Sequence, residues 1–145
     1  MELSYAFMFD TFGLLLQAVP VTLKLTAVTL IVASPFAFLL ALARLYDVPY
    51  GARFAEAYVT VLRGIPVVVQ ILLVYSLLPS LLNYLFKKTG ITYNIFDLDT
   101  IWYAYIIFTI SETAILSEVF RSALGSVGLG QMEAGLSVGL TPWMV

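Results

Sequence analysis

The 145-residue chain is 61% hydrophobic and only 11% charged, with a formal net charge of −2 and a mean hydropathy of +0.99. Soluble domains run at about 45–50% apolar and about 25% charged, so most of this chain belongs in lipid. It has no cysteine and no histidine, no basic tract and no Gly-x-x-x-x-Gly-Lys run, which excludes disulfides, haem, most zinc sites, imidazole-based triads, nucleic-acid binding and a P-loop.

Residues 1–19 read as an extracytoplasmic or interfacial lead-in rather than a cleavable signal. No Lys or Arg precedes Lys24, so the positive n-region is missing, and Tyr5, Phe7, Met8, Phe9 and Phe12 suit a stretch lying at the membrane surface. Residues 20–145 read as a partial transmembrane domain. The first span is predicted over 21–45, because 25–43 carry no charge over about 19 residues, close to the length that crosses hydrocarbon. Lys24 and Arg44 bound this run, and Pro35 is expected to kink it. Residues 46–63 are a short, mixed link.

A second span is predicted over 64–86, another uncharged run of about 23 residues. Pro66 falls in its expected first turn, where a missing N–H matters little, and Pro79 is expected to bend the helix or end it early. Gln70 is the one amide in this span below its polar ends; it is expected to have a partner, as interhelical glue or in contact with a solute. A polar link over 87–99 holds Gly90, Asn94 and two aspartates. The third span is predicted over 100–124, opened by Trp102, Tyr103 and Tyr105 at the aromatic belt.

The fold class is therefore all-α, an integral membrane helical protein with three spans and a short cytoplasmic helix after them. Arg44, Arg53, Arg63 and Arg121 fall on one side of the spans, and Lys24, Lys87 and Lys88 on the other. That bias puts the arginine side in the cytoplasm and the N-terminus outside. An end at Val145, directly after the third span emerges, is expected of a fragment.

Chemistry enters in the third span. Ser111, Ala114, Glu118, Ser122 and Gly125 recur at spacings of three and four, which places them on one helical stripe, and Arg121 lies within ion-pairing reach of Glu118. Charge is expensive at membrane depth. The stripe therefore either packs against another helix, with Glu118 satisfied by Arg121, or lines a translocation path. Glu112 lies off it. Beyond the span, a coupling loop is predicted over 126–142. Within it, residues 131–138 form a short helix that Gly139 ends through a left-handed cap. Met132, Leu136 and Leu140 share one face of that helix and Glu133 lies off it, which fits docking into a groove of a soluble partner or resting on lipid headgroups.

Three segments then resemble, in order and spacing, those of the polar amino-acid permeases, the membrane subunits of bacterial binding-protein-dependent ABC importers of type I. Arg63-Gly64-Ile65-Pro66 followed by Gln70 is similar to the Arg-Gly-Thr-Pro…Gln stretch that opens the family's second core helix. The run from Ala114 through Glu118 to Arg121 is similar to Ala-Tyr-x-x-Glu-x-x-Arg, with Ile115 in place of the tyrosine. Gly130-Gln131-Met132-Glu133-Ala134-Gly135 with Gly139 is similar to the Glu-Ala-Ala-x-x-x-Gly coupling loop, with Gly135 replacing the second alanine. The family's loop continues to an Ile-x-Leu-Pro segment and further helices, which are not in this sequence.

The resemblance implies a permease subunit for polar amino acids in a bacterial cell membrane, not itself an enzyme and holding no cofactor. Its implied partners are a second permease subunit, the same or a relative, an extracytoplasmic solute-binding protein, and a dimer of ATP-binding subunits. That dimer binds the ATP and docks on Gly130, Gln131, Glu133, Ala134, Gly135 and Gly139. Gln70, Ser111, Glu118 and Arg121 are then candidates for the path or for helix packing, and Arg63, Gly64 and Pro66 for a structural hinge. A permease for another small solute, and a scaffold that docks a soluble partner without transport, remain the alternative readings.

Overall fold

A computed structural model of the chain describes residues 5–90, 95, 98–126, 128–141 and 144. Asn94 and Asp97 of the polar link, and Val127 and Pro142 of the coupling loop, lie outside the described residues. The described residues form five helices and no strand: α1 (Tyr5–Leu45), α2 (Gly51–Gly64), α3 (Val67–Thr89), α4 (Thr100–Gly125) and α5 (Leu129–Ser137). Within them, Phe7–Leu45, Val67–Thr89 and Thr100–Gly125 are long and apolar enough to cross a membrane. The chain is a multi-pass membrane protein.

Helix α1 begins earlier than expected. It runs for 41 residues, and the described part of the lead-in, residues 5–19, is continuous with the first span in one helix. Pro20 and Pro35 both sit inside it. Proline removes one backbone donor, a loss that spanning helices tolerate when nearby hydroxyls and neighbours satisfy the backbone. Thr22 and Thr29 each donate to the carbonyl one turn back, Thr22 Oγ1 to Ala18 at 3.2 Å and Thr29 Oγ1 to Leu25 at 2.9 Å. Neither is a carbonyl that Pro20 or Pro35 leaves without its N–H, those of Leu16 and Ile31.

The link after the first span is itself helical. Asp47 and Tyr50 take positive φ, 47° and 63°, to turn the chain, and α2 then buries Ala55 and Val59, one turn apart. The second span starts at Val67 rather than Gly64, and Arg63-Gly64 closes α2 instead of opening α3. The cause is Pro66, whose ring disfavours helical backbone at the residue before it. Ile65 is accordingly extended, with φ −105° and ψ 125°. Pro79 neither ends α3 nor faces lipid: it is buried, and the helix continues to Thr89.

The chain divides into two compact units, residues 1–32 with 67–110, and 33–66 with 111–145. In the first, Tyr103 is buried, its hydroxyl donates to the carbonyl of Ile95 at 3.2 Å, and its ring meets Tyr75 edge-on at 5.9 Å, which joins α4 to α3. In the second, the buried set is small: Ala33, Ala37 and Ala41 on α1, Ala55 and Val59 on α2, and Ser111, Thr113, Ala114 and Ser117 on α4. Small side chains let helix backbones approach closely, the usual basis of helix association in lipid. Phe38 and Phe120 meet edge-on at 5.7 Å beside this seam.

Candidate functional site

The second unit holds the charged centre. Along α4, Ser111, Ala114 and Ser117 turn inward. Ser117 is fully buried because its hydroxyl donates to the carbonyl of Ala114 at 2.9 Å, leaving no polar atom unpaired. One residue later Glu118 emerges from the seam with its side chain 19% exposed and meets three arginines. Arg121 Nε and Nη2 donate to Glu118 Oε2 at 3.0 and 2.9 Å, a fork-shaped contact within one helix. Arg44 Nη1 donates to Oε1, and Arg63 Nη1 lies 3.9 Å from the same oxygen.

Both carboxylate oxygens are thus occupied, and the carboxylate ties α1, α2 and α4 together. Arg44 and Arg63 each sit in the last turn of their helix, where a cation also complements the helix dipole. Three guanidiniums on one carboxylate leave the cluster net positive. The stripe read from the sequence is buried only as far as Glu118; Ser122 and Gly125 are exposed. Glu112 is half-buried and makes no ion pair among the described residues. Tyr58 of α2 hydrogen-bonds the Thr113 side chain, and burial pushes the Tyr58 phenol above its ordinary value of 10.0. Gln70 belongs to the first unit, where it is 5% exposed and partnered.

Helix α5 carries the remaining candidates. It spans Leu129–Ser137, two residues earlier at its start than read from the sequence. Gly130, Gln131, Glu133 and Ala134 are exposed and Gly135 is half-buried. Met132, Leu136 and Leu140 form an apolar stripe at 42%, 46% and 41% exposure. The helix stops as its glycine demands. Gly139 takes φ +87°, its N–H donates to Leu136, and the N–H of Leu140 reaches back to Gly135 at 3.0 Å. Those two bonds make a Schellman cap.

No protein-family model matches the chain. It is 35% identical over 139 residues to the probable amino-acid permease protein YxeN of Bacillus subtilis, a match that takes in 96% of this chain and 58% of that one. The glutamate/aspartate import permease protein GltK of Escherichia coli is 33% identical over 129 residues, 89% of this chain and 55% of that one. A solved structure, "Crystal structure of an amino acid ABC transporter with histidines", superimposes with a TM-score of 0.71 at 25% identity, covering 97% of this chain and 60% of that one. Over most of its own length the chain is similar to amino-acid ABC permeases. It spans little more than half the length of the curated relatives it matches.

In this chain, local spacing pointed to Glu118 and Arg121 but not to the rest of their cluster. Arg44 looked like a span boundary, and it lies 74 residues from Glu118 in sequence. Arg63 looked like a hinge. The Tyr58–Thr113 bond gave no periodic signal at all, because it joins two different helices, α2 and α4.

Proposed function

We propose that the chain belongs to a permease subunit that carries amino acids inward through a bacterial cell membrane, N-terminus outside, driven by ATP hydrolysis in separate subunits. The observation that carries this reading is α5: a short helix with an exposed apolar stripe and a fixed glycine cap, in the same unit as the Glu118 cluster. An amphipathic helix of this kind suits the groove of a soluble partner. A helix end pinned by a Schellman cap resists fraying, so a push on it passes into the chain on either side. The net-positive ties at Glu118 hold α1, α2 and α4 as one body on which such a push acts. The reading supplies the ATP-binding dimer at α5, a second permease subunit beside the spans, and an extracytoplasmic binding protein that delivers the solute. The amino-acid substrate class rests on the relatives alone, and no cofactor is assigned to the chain.

The test is Glu133→Lys in the full-length protein. Membrane insertion is expected to persist, while co-purification of the ATP-binding subunit falls or ATP hydrolysis no longer drives uptake. Normal co-purification together with normal uptake removes the docking role. Loss of the gene with no change in uptake of any amino acid removes transport itself and leaves the scaffold reading.

A further inference from the structure

Away from the charged cluster, the first unit contains a cavity of about 730 Å³ between α1 and α4. Its walls are apolar, with Val28 and Val32 on one side and Ile106 and Ile110 on the other. Val21, Lys24, Ile101, Trp102, Tyr105 and Thr109 complete the lining. Lys24 is the single charged residue there, is exposed, and makes no ion pair among the described residues. Trp102 and Tyr105 pack edge-on at 5.8 Å.

The first and third spans of a three-span chain run the same way across a membrane, so Lys24 and the start of α4 share one leaflet. Lys24 directly precedes the uncharged run of α1, and Trp102 sits in the first turn of α4, positions that suit headgroup depth. From Lys24 to Val32, and from Trp102 to Ile110, the helices descend about 12 Å at 1.5 Å per residue. One leaflet of hydrocarbon is about 15 Å deep. The groove therefore starts at the phosphate level and follows one leaflet toward the midplane.

We propose that this groove is a binding site for an anionic phospholipid, with the phosphate on Lys24, the glycerol region against Trp102 and Tyr105, and an acyl chain between Val28–Val32 and Ile106–Ile110. Charge complementarity selects this occupant. A zwitterionic solute would need a carboxylate for its ammonium group, and the lining has no Asp or Glu. An anionic headgroup leaves Lys24 neutralised with no second charge to satisfy, and attraction of this kind is worth about five-fold in affinity for one lysine near an anionic surface.

The probe is Trp102 itself. In a background where Trp143 and every other tryptophan of the full-length protein is replaced by Phe, it is the sole tryptophan. The protein is reconstituted in phosphatidylcholine vesicles that contain rising fractions of brominated phosphatidylglycerol or brominated phosphatidylcholine, and fluorescence is read. Half-maximal quenching is expected at about five-fold less phosphatidylglycerol than phosphatidylcholine. Lys24→Gln should make the two lipids equivalent, and Lys24→Arg should keep the preference. Equal quenching by both lipids with Lys24 intact overturns the proposal, since only annular lipid is then present. A preference that survives Lys24→Gln, or is lost in Lys24→Arg, also overturns it. Weak quenching by either lipid shows a protein segment covering the groove, with the same consequence.

Discussion

Glu118 is an anion shared among cations that come from three helices, and its neighbours are unequal. Arg44 is 17% exposed and makes a direct hydrogen bond; Arg63 is 55% exposed and stands 3.9 Å away. Removing one partner of a part-buried charged bond leaves the other unsatisfied, a loss of about 1–3 kcal/mol. A solvent-screened pair contributes roughly 0–1 kcal/mol. Unfolding of the purified protein in detergent should therefore rank Glu118→Ala and Arg44→Ala well below wild type, with Arg63→Ala close to it. Equal effects of Arg44→Ala and Arg63→Ala would show that burial does not set the ranking. In uptake assays on the full-length protein, Glu118→Ala is expected to be more harmful than Glu112→Ala, because Glu112 ties no helices together among the described residues. Half of this cluster was legible in the sequence: Arg121 is one turn from Glu118, and one-turn spacing can be counted. The contact with Arg44 could not be counted, because it exists only once α1 and α4 lie side by side.

Among the elements, α5 and the α2–α3 junction show how single residues set helix ends. Gly139 occupies φ +87°, a conformation that disfavours any side chain with a Cβ. Gly139→Ala should destabilise the cap by about 1 kcal/mol, which hydrogen exchange reads as roughly five-fold faster exchange of the Gly139 and Leu140 amides. Unchanged exchange at both amides would mean that the cap does not hold the helix end. This cap was foreseeable, since a glycine directly after a periodic stretch has one common use. The α2–α3 junction was misread for an equally local reason. Pro66 was placed inside the coming helix, whereas its stronger effect falls on Ile65, which it drives out of helical geometry. Helix α2 was legible too: Ala52, Ala55, Val59 and Leu62 recur at helical spacing within the link, and Ala55 and Val59 are the pair it buries.

For the whole molecule, membrane orientation is the property on which the docking role of α5 depends. These 145 residues hold no cysteine, so in a full-length protein cleared of any other cysteine, single-cysteine variants report position without background. Asp10→Cys should react with a membrane-impermeant maleimide in intact cells, and Ser137→Cys only after permeabilisation. Labelling of Ser137→Cys in intact cells would put α5 outside, beyond the reach of any cytosolic ATP-binding subunit. Composition and uncharged run length by themselves determined that the chain is helical and that three stretches are long and apolar enough to cross a membrane, because the energy of moving charge and bare backbone into hydrocarbon is large and depends on sequence alone. Which residues face one another was decided only by tertiary structure. The Glu118 cluster and the Lys24 groove each join α1 to α4 across more than seventy residues of chain, and the spacing of small residues, such as Ala33, Ala37 and Ala41, marks a packing face without saying which helix it meets.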